Sequence, residues 1–457
     1  MDKTSSPFDI ANIRYFIGFR LFFNARFYYP VFTILFLDYG LTIEQFALLN
    51  SVWAATIVVA EVPSGALADL LGRKQLLMIT SVLMVLEMLL LSFVPLESIS
   101  LVFWAFLLNR ILSGLAEAMA SGADEALAYD SLMEQGEKDD WPIVLSVMMR
   151  IKSLGSIITM SIGALIYDPA IANKALQFFG SSLVVDQQTT MRFPVYLTLI
   201  LGLLSCYSVF MMKETGVLKQ ANAKPGSPLQ NMIKAFSMTI QAGKWILSTP
   251  FALVIILFGM GYDHVLRMVI TMTSQYLRLI NLPEASFGLI GALMAVMGLF
   301  IPKIAENMVH RYNALHNMLW LSLLTLLTLA GLALFIPYVG LIPVALVSSG
   351  LMFTSFFTSH YLNKITESHQ RATVLSFKGL AFNLAYGFIG VAFAVLMTEL
   401  RVIKQSAQPA TSESIIENLA FQSATGWFIP YTLILLILTF ILSAFLLKKT
   451  QLHLEKG

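Results

Sequence analysis

Twelve long apolar stretches divide this chain, and they set the main limit on how it can fold. A helix needs about 20 mainly apolar residues to cross a bilayer. Only 12% of the residues are charged, against about 25% in typical soluble domains. The stretches do not alternate apolar and polar residues as membrane β-strands do. We therefore predict an all-α membrane protein whose twelve spans lie at residues 13–37, 43–67, 76–95, 101–122, 143–166, 192–212, 250–276, 285–308, 315–336, 340–362, 372–397 and 425–447.

Lysine and arginine residues are unevenly distributed over the connections between these runs. If both termini are cytoplasmic, about 18 of the 29 Lys and Arg residues fall on the cytoplasmic side and about 5 on the other. Cytoplasmic loops of membrane proteins carry this excess of positive charge. We therefore expect a multi-pass protein of the cell inner membrane with its N- and C-termini inside.

The longest connection separates the runs into two sets of six. It covers residues 213–248 and predicts an N-terminal bundle at 1–212 and a C-terminal bundle at 249–457. Short similarities at equivalent places, such as VLS at Val144 and Val374, indicate that the two bundles are pseudo-symmetric repeats. Part of the connection is predicted to be an amphipathic helix at the lipid headgroup boundary, although a solvated linker explains the same composition.

The connection between the second and third runs carries a motif in EVPSGALADLLGRK, at 61–74. It resembles the signature of the major facilitator superfamily, in which a Gly is followed by an Asp and then by Gly-Arg-Arg/Lys, although Leu70 stands where a basic residue is usual. The resemblance implies a cytoplasmic gate. In that gate the first glycine allows close helix packing and the second allows a tight turn. The aspartate and the arginine form an ion pair that can break. The residues concerned are Gly65, Asp69, Gly72 and Arg73.

The fourth run contains RILSG, which resembles the Arg-x-x-x-Gly motif of the same family through Arg110 and Gly114. In this family the fourth helix lines the central cavity, so Arg110 is expected to face it. The acidic stretch 121–132 lies at the cytoplasmic end of this run. There Glu125 or Asp130 is expected to reach Arg73 and close the gate, unless the stretch is only a solvated acidic loop.

Six cations are predicted within the spans, and they outnumber the carboxylates tallied beside them, Glu117 and Asp263. An excess of positive charge in a low-dielectric site attracts carboxylates and phosphates. The alternative is that two or three of the cations extend to the interface. The predicted substrate-cavity residues are Arg20, Asn24, Arg26, Arg110, Lys152, Ser355, Lys378 and Asn383, and Arg267 is the sixth cation.

Asp263 and Arg267 are one helical turn apart and are the first candidates for proton coupling. A buried carboxylate pairs with the arginine when ionised and releases it when protonated, which provides two states. Glu117 is the second candidate. A static structural ion pair explains either position equally well.

The family resemblance implies a secondary transporter that alternates access to the two sides of the membrane. The charge pattern favours a proton-coupled carrier of an anionic organic solute, such as a carboxylate metabolite or siderophore. A multidrug exporter of the same fold is the alternative. No nucleotide-binding, metal-binding or hydrolase motif is present, so we expect no enzyme activity, cofactor or nucleic-acid partner. The expected partners are the substrate, protons and the lipid bilayer, and the expected state is a monomer.

Overall fold

The computed structural model describes residues 6–121, 123–137, 140–215, 228–366 and 368–454, and all regular secondary structure in these ranges is helical. Three short 3-10 turns occur, at Pro7–Asp9, Tyr29–Val31 and Glu284–Ser286. The α-helices are α1 Ala11–Asn24, α2 Phe32–Asp38, α3 Ile43–Leu71, α4 Arg73–Phe93, α5 Ile99–Ala120, α6 Ala123–Gln135, α7 Trp141–Tyr167, α8 Pro169–Phe178, α9 Gln187–Thr190, α10 Phe193–Met211, α11 Pro228–Ser248, α12 Pro250–Thr271, α13 Thr273–Leu279, α14 Phe287–Arg311, α15 Ala314–Ala333, α16 Leu341–Ile365, α17 Ser368–Ala407 and α18 Glu413–Leu454.

Within the described residues, 11 helical segments are long and apolar enough to cross a membrane, judged by length and composition. They correspond to the second through the twelfth predicted runs. The first predicted run is represented by α1, with 14 residues, and α2, with 7 residues, each too short to span a bilayer alone. The all-helical membrane fold is thus confirmed, and twelve crossings are consistent with a first span that is broken in the middle.

The break in the first span begins at Ala25, whose backbone is extended (φ −75°, ψ 126°). The chain becomes helical again only at the 3-10 turn that contains Pro30. Proline lacks the N–H that would continue a helical ladder, and the sequence accordingly predicts a bend at this proline. The structure interrupts the helix five residues earlier and leaves Arg26 in the non-helical segment.

The chain forms two compact units. Unit 1 contains Met1–Leu41, Val52–Ala235 and Pro283–Ala292. Unit 2 contains Thr42–Ser51, Phe236–Leu282 and Leu293–Gly457. Most of the predicted N-terminal bundle lies in unit 1 and most of the C-terminal bundle in unit 2. The first residues of α3 group with unit 2 and the first residues of α14 group with unit 1.

The motif glycine of α5 sits at a close helix contact inside unit 1. A Cβ atom at Gly114 would lie 2.9 Å from the carbonyl oxygen of Trp53 and 2.8 Å from the Cβ of Thr56, both on α3. Contacts this short are not tolerated by real Cβ atoms. Glycine therefore lets α3 and α5 approach at this position, one turn after Arg110 on α5.

Candidate functional site

A polar cluster lies within unit 2, between α12 and α17. An Nη atom of Arg267 is 2.5 Å from a carboxylate oxygen of Asp263, one turn earlier on α12. The other Nη of Arg267 donates to the Oδ1 of Asn383 on α17, at 2.8 Å. The side chains of Arg267 and Asp263 are 26% and 13% exposed, so the pair is mostly shielded but not sealed. The predicted contact between Asp263 and Arg267 is therefore present, and α17 brings a third predicted residue to it.

Two aromatic rings of α17 complete this cluster. The guanidinium of Arg267 lies 5.3 Å from the centre of the Tyr386 ring, and the ammonium of Lys378 lies 5.8 Å from that of Phe382. Lys378 is also close enough to interact electrostatically with Asp263. The carboxylate of Asp263 thus pairs with one cation, Arg267, and acts electrostatically on a second, Lys378. We name Asp263, Arg267, Lys378 and Asn383 the Asp263 cluster.

His264, next to Asp263 in the chain, is held by hydrogen bonds at both ring nitrogens. Its Nδ1 is 2.6 Å from the carbonyl oxygen of Met260, and its Nε2 is 2.8 Å from the hydroxyl of Tyr431. A histidine engaged in this way serves local structure.

Arg20 in unit 1 is paired, contrary to the expectation of an unneutralised cavity cation. Its guanidinium contacts Asp124 and Glu125 of α6, each at 2.6 Å. The side chain of Asp124 is only 1% exposed. α5 ends at Ala120, Ser121 is non-helical (φ −55°, ψ 112°), and α6 packs against α1. Part of the predicted acidic loop is therefore a helix whose carboxylates pair with the first span.

Lys152 of α7 lies near the same carboxylates and interacts with them electrostatically. Asn24, another predicted cavity residue, donates its side-chain amide to the carbonyl of Arg20 at 2.8 Å. The side-chain amide nitrogen of Asn24 therefore makes a hydrogen bond within α1.

Arg26 forms a second buried ion pair in unit 1, with Glu87 of α4. The atoms are 2.8 Å apart, and the side chains are 5% and 0% exposed. Arg26 is therefore neutralised by a carboxylate inside the unit, next to the break in the first span, and its place in a substrate cavity stays a prediction. Glu87 was missed as its partner, although a carboxylate inside an apolar run is itself a signal of an intramembrane partner.

Arg110 is joined to this region through an amide. Asn109 donates its side-chain amide to the backbone carbonyl of Glu87 at 2.9 Å. The oxygen of the same amide accepts from two nitrogens of Arg110, at 2.9 and 2.7 Å. The guanidinium of Arg110 also lies over the rings of Phe32 and Phe36, 5.5 and 5.6 Å from their centres. Among the described residues, no carboxylate is within ion-pairing distance of Arg110.

The remaining predicted site residues are more exposed. Glu117, two turns after Arg110, and Ser355 of α16 are both exposed. Three of the six predicted cations have carboxylate partners, namely Arg20, Arg26 and Arg267. The positive excess within the spans is therefore smaller than the sequence indicates. Of the six predicted cations, the other three, Arg110, Lys152 and Lys378, have no ion pair with a described residue.

The predicted cytoplasmic gate is partly visible. Arg73 at the start of α4 forms an ion pair with Asp130 of α6, while Glu125, the other candidate, binds Arg20. The surroundings of Gly65 and the side chain of Asp69 lie outside what the structure describes. The Arg73–Asp130 contact is therefore present, and its role as a gate stays a prediction.

The predicted turn at Gly72 is confirmed by its backbone angle, φ +91°. The neighbouring carboxylate of Glu214 accepts from the backbone N–H of Lys74 at 2.9 Å. A carboxylate at the first turn of a helix is favoured by the helix dipole. Gly72 thus joins α3 to α4 at a turn that is contacted by Glu214, a residue just after the end of α10.

Replacing Gly72 with alanine is expected to lower the free energy of unfolding by about 1–3 kcal/mol, because the residue would be strained and crowded. The new Cβ would lie 2.7 Å from a carboxylate oxygen of Glu214. Gly180→Ala is the matched control, since Gly180 also has a positive φ, +76°, but nothing lies within 4 Å of its added Cβ. Thermal unfolding in detergent should show a larger loss for Gly72→Ala. Equal losses would mean that the Glu214 contact has no effect.

Comparisons with known proteins agree with this architecture. The family model of the Major Facilitator Superfamily matches residues 15–390. No curated protein sequence matches significantly. Among solved structures, the nucleoside transporter NupG aligns with TM-score 0.70 and 13% identity, covering 96% of this chain and 99% of that one. A bacterial homologue of the human lysosomal transporter Spinster aligns with TM-score 0.69 and 13% identity, covering 97% of each chain. A D-xylose–proton symporter aligns with TM-score 0.65 and 12% identity, covering 94% of this chain and 97% of that one.

Proposed function

The chain belongs to the Major Facilitator Superfamily, and on this basis we propose that it is a proton-coupled transporter of an organic anion. Membership makes it a secondary transporter and not an enzyme. The substrate charge and the coupling ion are our proposal, and one observation carries both. That observation is the Asp263 cluster, in which the carboxylate of Asp263 forms an ion pair with Arg267 and acts electrostatically on Lys378 without pairing with it.

The charge of this cluster depends on the proton carried by Asp263. When Asp263 is ionised it pairs with Arg267 and leaves a net charge of about +1 in the cluster. When it is protonated, Arg267 loses its partner and Lys378 loses the attraction of the negative charge. An incoming carboxylate can then take the place of Asp263 on the planar guanidinium, which suits two parallel hydrogen bonds. A proton and an anion would therefore bind cooperatively, and each would raise the affinity for the other. Such linkage is the requirement for cotransport.

The similar structures support the polar-solute part of this proposal. One of them is named as a D-xylose–proton symporter and another as a nucleoside transporter, so proton coupling and polar organic substrates both occur on this fold. Neither name indicates an anion. For this chain the anion is supported by the cations without carboxylate partners, Lys378 in unit 2 and Arg110 and Lys152 in unit 1.

The proposal includes a cell inner-membrane location, cytoplasmic termini and a monomeric state. The orientation is supported by the Lys and Arg distribution along the chain.

Transport by purified protein in proteoliposomes tests the proposal. Radiolabelled succinate, citrate and gluconate serve as anionic probes, D-xylose and uridine as neutral probes, and tetraphenylphosphonium as a lipophilic cation. We expect an imposed pH gradient to drive accumulation of at least one anion and of neither neutral probe. Transport of tetraphenylphosphonium without any anion would contradict the proposal and favour a multidrug exporter.

Asp263→Asn separates coupling from binding, because asparagine resembles the protonated carboxyl group. The variant should still exchange the anion across the membrane but should no longer accumulate it in response to a pH gradient. Arg267→Gln should lose both activities, because it removes the group that receives the anion. Glu306→Gln is the matched control, since Glu306 lies on an exposed helix face and its ion-pair partner among the described residues is Lys303, at 3.4 Å. Gradient-driven accumulation by Asp263→Asn at the wild-type level would show that Asp263 is not the coupling residue.

A further inference from the structure

The connection between α7 and α10 carries the most exposed large apolar side chains of the described residues. Phe178, Phe179 and Val184 are 86%, 82% and 82% exposed, and Leu183 is 69% exposed. All four lie outside the candidate spans, which end at Tyr167 and begin again at Gln187. We name these four residues the apolar knob. Large apolar groups gathered at such a surface mark an interaction site.

The apolar knob has a defined local structure. The side chain of Asn173 accepts from the backbone N–H of Val185 and donates to its carbonyl, both at 2.8 Å. α8 ends at a turn in which Gly180 has φ +76° and the N–H of Ser181 donates to the carbonyl of Leu176 at 2.9 Å. These bonds tie the two ends of the connection together. The exposure of the apolar side chains is therefore a property of an ordered turn.

The position of the knob is limited by the spans on either side of it. Only Asp168 separates α7 from α8, and α8 packs against α7. A helix of 10 residues is about 15 Å long, so the knob cannot move far from the bilayer surface. The side of α7 that carries Ile158, Ile162 and Leu165 is already exposed and apolar, as expected of a lipid-facing surface.

Charged groups frame the knob and do not interrupt it. The Asp168 carboxylate caps α8 by accepting from the N–H of Ala170 at 2.8 Å. At the other end, hydrogen bonds from the hydroxyl and backbone N–H of Thr189 lower the pKa of Asp186. Asp186 is therefore held in its ionised form, and Lys174 is the cation of α8. An apolar edge with a single nearby lysine fits a lipid headgroup boundary.

We propose that the apolar knob inserts into the leaflet of the bilayer adjoining the end of α7, and so anchors this connection at the membrane interface. The partner is a lipid surface, because the chain's own geometry holds the knob beside one. This inference concerns α7 to α10 alone and does not depend on the substrate or on proton coupling.

Site-directed spin labelling tests the insertion. The single cysteine, Cys206, is replaced by serine, and a nitroxide is placed by Ser182→Cys, which keeps all four apolar side chains. Accessibility to oxygen, which concentrates in lipid, is compared with accessibility to a water-soluble nickel chelate in phosphatidylcholine–phosphatidylglycerol vesicles. The reference sites are Phe388→Cys, exposed within a span, and Ser412→Cys, exposed between α17 and α18.

We expect the oxygen-to-nickel ratio at position 182 to be several-fold higher than at 412 and closer to that at 388. Adding Phe178→Ser and Phe179→Ser to the labelled protein should shift the ratio toward the value at 412. A ratio equal to that at 412 before these substitutions would overturn the proposal. So would low access to both reagents with dipolar broadening that grows with label density, since that result indicates a contact with a second copy. Val184→Cys provides an independent labelling site if the Ser182 variant does not fold.

Discussion

Glu87→Ala is expected to lower the free energy of unfolding by about 3–5 kcal/mol, which is the usual cost of leaving one member of a buried ion pair uncompensated. Glu87 and Arg26 are 0% and 5% exposed and 2.8 Å apart. Removing the carboxylate leaves the guanidinium of Arg26 in a space that water does not reach. Unfolding of purified protein in detergent, followed by heat or by a denaturing detergent, measures the loss.

A double variant distinguishes the charge effect from a simple loss of packing. Arg26→Met with Glu87→Met replaces the pair with apolar side chains and should recover most of the lost stability, because replacing both members of such a pair is often neutral. The surface pair Lys303–Glu306, 3.4 Å apart and 72% and 49% exposed, is the control. Glu306→Ala should cost less than about 1 kcal/mol. If Glu87→Ala costs no more than Glu306→Ala, then Arg26 is not stabilised by Glu87.

Gly163→Ala is expected to lower the free energy of unfolding by about 1–3 kcal/mol, the range for overpacked sites. A Cβ at this position in α7 would lie 2.6 Å from the carbonyl carbon of Phe27, in the break of the first span. The obstacle is backbone, which cannot rotate away as a side chain can. The close approach of α7 to the backbone of Phe27 therefore needs a glycine at position 163.

The matched control is Gly379→Ala in α17, where no atom lies within 4 Å of an added Cβ. There alanine should be neutral or should stabilise by about 0.4–1 kcal/mol, because it restricts the unfolded chain and favours a helix. The two variants are compared by their unfolding midpoints under identical conditions. Equal effects of the two substitutions would show that the contact with Phe27 does not limit the packing of α7.

Several features of this protein could be predicted from local sequence. The length and apolar character of the runs are enough to predict membrane helices, and eleven of them are continuous. The contact between Asp263 and Arg267 follows from a four-residue spacing on one helix. The turn at Gly72 follows from its place between two helices, and its φ of +91° is one that glycine adopts readily.

The pairing of the other cations could not be predicted in this way. Arg20 and Asp124 are 104 residues apart, and Arg26 and Glu87 are 61 residues apart. Each pair lies next to a residue that interrupts helical geometry, Ser121 in one case and Ala25 in the other. A count of charges along the spans therefore overstates the positive charge that is left for a substrate.

The sequence by itself determined that this chain is a helical membrane protein, that it carries the family's turn and Arg-x-x-x-Gly motifs, and that charges occur inside its spans. Those properties depend on composition and on spacing within one helix. The tertiary structure decided which charged side chains form ion pairs and which glycines lie against the backbone of another segment. It also decided that Arg110 is bound by the side-chain amide of Asn109 instead of a carboxylate. These outcomes depend on contacts between helices distant in sequence, and such contacts are set by packing of the whole chain.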